Sequence, residues 1–224
     1  MCAPGSQSAP RIILGGTLRV RVFVDFWNFQ LTWNERSGGL RCDWPRLAAV
    51  LCQEASGVLS AAGLAGLSLE ETRVYAGYEA GRENKLKAWL HGFLDRQPGI
   101  RVFTSERRWR THPVHCRWCE AEFPVCPSCN APFGRAAEKT TDARIVTDLM
   151  GLAWESAYDV AILVSADKDF IPTVEHLQAK NYKVINAAWR GIGHELAKVC
   201  WASFEIDRLI PSLERLDALH PSPG

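Results

Sequence analysis

The chain has 224 residues, 47% of them hydrophobic, enough to bury one sizeable core with room for a small insertion. Lysine and arginine total 26 against 25 acids, so the net charge of +1 gives no overall field toward nucleic acid and any basic surface must be local. No apolar run approaches the roughly 20 residues that span a bilayer, and Ile12-Ile13-Leu14 is too short for a signal-peptide core, so the expectation is a cytoplasmic protein with no membrane contact and a flexible leader over 1–17.

The first expected element is a strand, Arg19 to Asp25, whose apolar run ends in an acid, with an amide three residues later at Asn28. Asp43-Trp-Pro-Arg opens a helix to about Gly63, because Leu47, Val50, Leu51, Ala55, Val58 and Leu59 recur at helical spacing. Glu71 to Gly77 reads as a second strand, and Arg82 to Gln97 as a helix closed by Pro98-Gly99. Ile100 to Phe103 starts a third strand that runs into a basic, aromatic stretch. Between Arg101 and Cys119 five arginines face one acid, a local balance of +4, with Trp109 and Trp118 among them. Arginine for phosphate and aromatic faces for unstacked bases are the parts of a single-stranded RNA surface, which selects Arg107, Arg108, Trp109, Arg110 and Arg117. A charged edge strand beside a packed module is the plainer alternative.

Four of the eight cysteines fall within fourteen residues, as Cys116-x-x-Cys119 and Cys126-x-x-Cys129. Paired CxxC knuckles supply four thiolates to a tetrahedral Zn²⁺, which predicts a structural zinc-knuckle insertion over 112–133. His112 or His115 is a substitute ligand of second choice. Cys42, Cys52 and Cys200 lack metal spacing and read as small, buried or nearly buried residues.

Lys139-Thr-Thr-Asp142 begins a helical pattern through Asp148 to about Tyr158, with Asp142 in the first turn, where the helix dipole favours a carboxylate. The run Val160 to Val164 has no polar alternation, as expected of a strand buried on both faces, and Ser165, Asp167 and Asp169 follow directly. A helix from Ile171 to Lys180, a strand from Lys183 to Ala187 and a last helical region from Ser212 to Leu219 complete the pattern, with 211–224 as helix and tail. Alternating strands and helices predict an α/β fold, a central mostly parallel sheet flanked by helices. In such sheets the ligand crevice lies beyond the carboxyl ends of the strands, where Asp25 and the Ser165–Asp169 segment fall.

Asp25-x-x-Asn28, Lys139-x-x-Asp142 and Ser165-x-Asp167-x-Asp169-Phe170, in this order, resemble the NYN domain, in the LabA/DUF88 branch of the PIN-like nucleases. The resemblance spans roughly 19–209. Phe26, Ala166 and Thr140 stand where that family often has glycine. The resemblance implies a three-layer PIN-like domain over 18–210 and a ribonuclease that hydrolyses phosphodiester bonds through an aspartate cluster. Carboxylates converging from separate elements need a cation, and hard oxygen ligands select Mg²⁺ or Mn²⁺, held by Asp25, Asp142, Asp167 and Asp169.

Asn28 would fix a carboxylate or touch phosphate, with a turn-shaping role as the alternative. Lys139 would neutralise the cluster, and Ser165 would donate to a carboxylate or phosphate. Asp148 lies about 120° around the helix from Asp142, which leaves it an ion-pairing or supporting position rather than a direct one. The competing readings are an NYN-fold regulatory protein that binds RNA or protein partners without cutting, and another Mg²⁺-dependent phosphoryl-transfer enzyme. A homo-oligomer stays open.

Overall fold

The computed structural model describes residues 17–64, 66–137 and 140–216. The leader up to residue 16 and Lys139 therefore lie outside the described residues. β1 (Leu18–Asp25) leads into α1 (Phe26–Arg36), which Asp25 caps by accepting a hydrogen bond from Asn28 N through its side chain. Phe26, Phe29 and Trp33 recur at helical spacing and are the buried face of α1. Then come α2 (Trp44–Ala61), β2 (Leu67–Glu79), α3 (Asn84–Gly92) and β3 (Ile100–Thr111). A small excursion holds β4 (Val114–His115) and β5 (Glu122–Phe123), and β6 (Gly134–Ala137) returns along β3. The second half contains α4 (Thr141–Trp154), β7 (Val160–Val164), α5 (Ile171–Ala179), β8 (Lys183–Ala188), α6 (His194–Val199), β9 (Ala202–Glu205) and α7 (Ile210–Leu213).

Among the described residues the main sheet has seven strands in the order β6-β3-β2-β1-β7-β8-β9. All neighbours are parallel except β3 and β6. The chain winds outward from β1 to β3, returns to place β7 against the other side of β1, and winds away again. The strand order thus reverses between β1 and β7, the place where open α/β sheets form a ligand crevice.

Both faces of the sheet are covered, which explains the unbroken apolar strand. Val160, Ile162 and Val164 of β7 enter one core with α1, α2 and α3, whereas Ala161 and Leu163 enter a second core with α4, α5 and α6. Every residue of β7 is buried. Rings dominate the first core: Phe26 stacks on Trp44 at 5.1 Å and Phe29 lies 5.6 Å from Trp189.

The three-layer α/β architecture is the one the sequence predicts, with three local differences. The expected helix from Arg82 to Gln97 breaks at Phe93, leaving α3 and a 3-10 turn at Leu94–Arg96. The Ser212–Leu219 helix does not form as expected: α7 stops at Leu213, and Glu214 turns extended to bridge to Cys42, with 217–219 outside the described residues. Helices α1 and α6 and strand β9 lie in segments where no element was expected.

Candidate active site and the cysteine arm

At the switch point a hydroxyl joins two acid-bearing strand ends. Ser165 Oγ donates to Asp25 Oδ2 at 3.4 Å and accepts from Asp167 N at 3.2 Å. Asn28 Oδ1 accepts from Ala166 N at 3.0 Å, so the first turn of α1 grips the loop leaving β7. Asp167 caps the 3-10 turn Lys168–Phe170 by accepting from Asp169 N at 2.9 Å. The structure therefore brings Asp25, Asn28, Ser165, Asp167 and Asp169 into one hydrogen-bonded loop system at the carboxyl edge.

Two further residues shape this loop and were not singled out from the sequence. Asn186 on β8 is fully buried and donates to the carbonyls of Leu163 (3.0 Å) and Ser165 (2.9 Å). Its sequence signal is a lone amide inside an apolar strand. Gly193 has φ +70°, and a Cβ there would lie 2.6 Å from Ala166 Cα. The methyl of Ala166 thus occupies space that Gly193 leaves open.

Asp142 enters from the first turn of α4, at the same edge of the sheet; the neighbouring Thr141 Oγ1 lies 3.0 Å from Ser105 Oγ on β3. Asp148, further along α4, accepts from Arg73 Nη1 at 2.8 Å and Tyr75 Oη at 2.9 Å, with Arg144 Nε at 3.3 Å. The structure places Asp148 in this ion-pair network on β2. Its rotation away from Asp142 is the physical reason.

A family model described as the NYN domain matches residues 19–207. The chain belongs to the NYN domain family. No curated protein matches it. A crystal structure of a protein of unknown function from Vibrio parahaemolyticus is similar in fold, with a TM-score of 0.53 and 20% sequence identity, over 85% of this chain and 95% of that one.

The NYN sheet carries an arm. β3 pairs with β2 as far as Arg107, then runs on to pair with β6 from Arg108 to Thr111. Arg107 is held inward: its Nη2 lies 2.6 Å from Glu83 Oε2 and its guanidinium sits 4.8 Å over the Trp27 ring. Arg108, Arg110 and Arg117 are exposed instead, and Arg108 pairs with Glu106 at 3.1 Å. Trp109 lies against Gly134, where a Cβ would meet its ring at 2.6 Å, and Trp109 stays 48% exposed. Trp118 at the tip is 96% exposed.

The arm's tip repeats one turn twice. Cys116 N donates to Ala121 O and Glu120 N to Cys116 O; Cys126 N donates to Ala131 O and Asn130 N to Cys126 O. Glu120 and Asn130, each one residue after the second cysteine of its pair, both have φ 57°. Backbone N–H groups of Cys119 and Trp118 lower the thiol pKa of Cys116, and those of Cys129 and Ser128 lower that of Cys126. Cys42, Cys52 and Cys200 differ: burial pushes Cys42 well up, and pushes Cys52 and Cys200 to about 12.

Among the described residues no three His, Cys, Asp or Glu side chains converge closely enough to hold a metal ion, at either the crevice or the knuckles. The donor chemistry nonetheless fits two different cations. The crevice offers carboxylate oxygens, the donors suited to Mg²⁺ or Mn²⁺, and the arm offers cysteine sulfurs, the donors suited to Zn²⁺. Among the described residues no helix is long and apolar enough to cross a membrane.

Proposed function

We propose that this NYN protein, of the LabA/DUF88 branch, is a cytoplasmic metal-dependent ribonuclease that hydrolyses RNA phosphodiester bonds in the crevice between β1 and β7. NYN domains are typically nucleases, and the observation that carries the reading is the Asp25–Ser165–Asp167 relay at the switch point of the sheet. Asp25, Asp142, Asp167 and Asp169 would hold Mg²⁺ or Mn²⁺, which when bound supplies charge for the scissile phosphate and a more acidic water. Ser165 holds Asp25 and the Asp167 backbone in register. Asn28 keeps the β7 loop on α1, and Lys139 is assigned to neutralising the acids or meeting phosphate. Arg108, Arg110 and Arg117 would pair with phosphates of single-stranded RNA, and the exposed Trp109 and Trp118 would stack on its bases. Arg107 supports that surface from below through Glu83 and Trp27.

Cys116, Cys119, Cys126 and Cys129 would bind one structural Zn²⁺, a reading supported by the repeated turns and their N–H groups aimed at sulfur. Four thiolates leave no open position, so this metal would order the arm without taking part in cleavage.

The deciding experiment incubates zinc-loaded protein with single-stranded and folded RNA in Mg²⁺, Mn²⁺ or EDTA, beside Asp167→Asn. Cleavage should need a divalent metal and vanish in the variant, while RNA binding survives because less negative charge faces the backbone. RNA that is bound but never shortened with either metal would leave an NYN-fold regulatory protein as the better account.

A further inference from the structure

A cavity of about 900 Å³ lies away from the acids, between α1, the loop into α2, the start of α3 and the Arg215–Leu216 segment. Four cations line it, Arg41, Arg46, Lys85 and Arg215, against the single acid Asp43. That acid is already engaged: Asp43 Oδ1 accepts from Arg46 N at 3.3 Å as the cap of α2, and its other oxygen is 4.0 Å from Arg46 Nε. Among the described residues neither the Arg41 guanidinium nor the Lys85 ammonium has an acidic partner.

The neutral part of the lining also favours an anion. Trp44 Nε1 donates to Gln30 Oε1 at 3.0 Å and Gln30 Nε2 to Asn34 Oδ1 at 2.7 Å, a relay that leaves the Asn34 amide hydrogens for the cavity. Trp44 and Trp89, 3% and 6% exposed, give it a dry base. Arg41 and Lys85 bring unneutralised positive charge to an apolar base, and a bound polyanion relieves that cost.

We propose that this cavity is a phosphate-binding site that holds the RNA backbone outside the cleavage crevice; the choice of RNA as the phosphate source rests on the ribonuclease reading. Gln30 lies about 200° around α1 from Asn28, so the cavity and the crevice occupy opposite sides of one helix. Gln30 and Asn34 are about 8 and 14 Å further along its axis than Asp25. The indole faces here are covered, so the site grips phosphate rather than bases and takes RNA without regard to sequence.

The test compares full-length protein with an Arg41→Glu/Lys85→Glu variant, both probed in EDTA so that nothing is cut. A fluorescent single-stranded RNA of about 20 nucleotides, followed by anisotropy, should bind at least about tenfold more weakly to the variant, with a log–log salt slope smaller by roughly 1.4 for two lost contacts. Inorganic tripolyphosphate should compete with RNA on the unaltered protein, and its calorimetric binding should disappear in the variant. Loss of tripolyphosphate binding with unchanged RNA affinity would keep the phosphate site and overturn RNA as its source. Unchanged binding of both probes, in a variant that melts like the parent, overturns the proposal. The Arg41→Gln/Lys85→Gln variant carries the same comparison if charge reversal prevents folding. Weakened RNA binding in the variant, beside an unaltered protein that never cuts RNA in Mg²⁺ or Mn²⁺, would overturn the ribonuclease reading and leave this site standing.

Discussion

Asn186 donates both amide hydrogens to carbonyls on either side of Val164, so the exit of β7 is fixed by a side chain on the neighbouring strand. Asn186→Ala would remove two buried hydrogen bonds and should cost about 1–3 kcal/mol; chemical denaturation measures it, and cleavage should fall further than stability because Ser165 and Asp167 lose their register. Gly193→Ala adds a methyl 2.6 Å from Ala166 Cα at φ +70°. The left-handed backbone and the overlap together should cost about 2–4 kcal/mol, read as a lower melting temperature. Asp148→Ala separates two roles for acids on one helix. It should lose about 2 kcal/mol through Arg73 and Tyr75, whereas Asp142→Ala should remove cleavage.

The two central strands are pinned at their amino ends by Arg19, whose Nη2 lies 2.9 Å from Asp159 Oδ1 and whose backbone N–H donates to Oδ2 at 2.8 Å. Burial alone would raise the Asp159 pKa, but the bonds from Arg19 outweigh it and leave the carboxyl below its usual value. A depressed folded pKa means this stabilisation is complete above about pH 4, the unfolded value, and is lost as pH falls through the folded one. An acid titration should therefore show Asp159→Asn less stable than the parent at pH 7, with the gap closing below about pH 4. The cysteine arm gives an independent test at this scale. Stripping zinc from loaded protein with a strong chelator should change the emission of Trp109 and Trp118 while the main melting transition of the sheet persists.

Elements were legible in the sequence where burial is two-sided or strictly periodic, as in β7 and α2. The acid-bearing ends of β1 and β7 were legible for the same reason, since an apolar strand that stops at an acid marks the sheet edge. α1 was not anticipated, although Phe26, Phe29 and Trp33 recur at helical spacing and Asp25 caps them, because the strand signal before Asp25 and the turn chemistry of Asn28 competed with it. α6 and β9 are short, and their stability comes from packing against α5 and β8 rather than from local propensity. Arg107 shows the limit of charge counting: its composition marks it as RNA-facing, but Glu83 and Trp27 decide which way it points.

Across the whole molecule, two cores on opposite faces of one sheet keep the crevice at the meeting of two oppositely wound halves. The sheet also has an outer side door. The excursion that carries both knuckles leaves β3 at Thr111 and returns at Gly134, and those two residues are ladder partners. Its ends are therefore already as close as a hairpin turn requires, so joining 111 to 134 through Asn-Gly would need no rearrangement of the domain beneath. The tip is built as a cassette: removing or exchanging it would leave the acid-bearing edge of the sheet as it is.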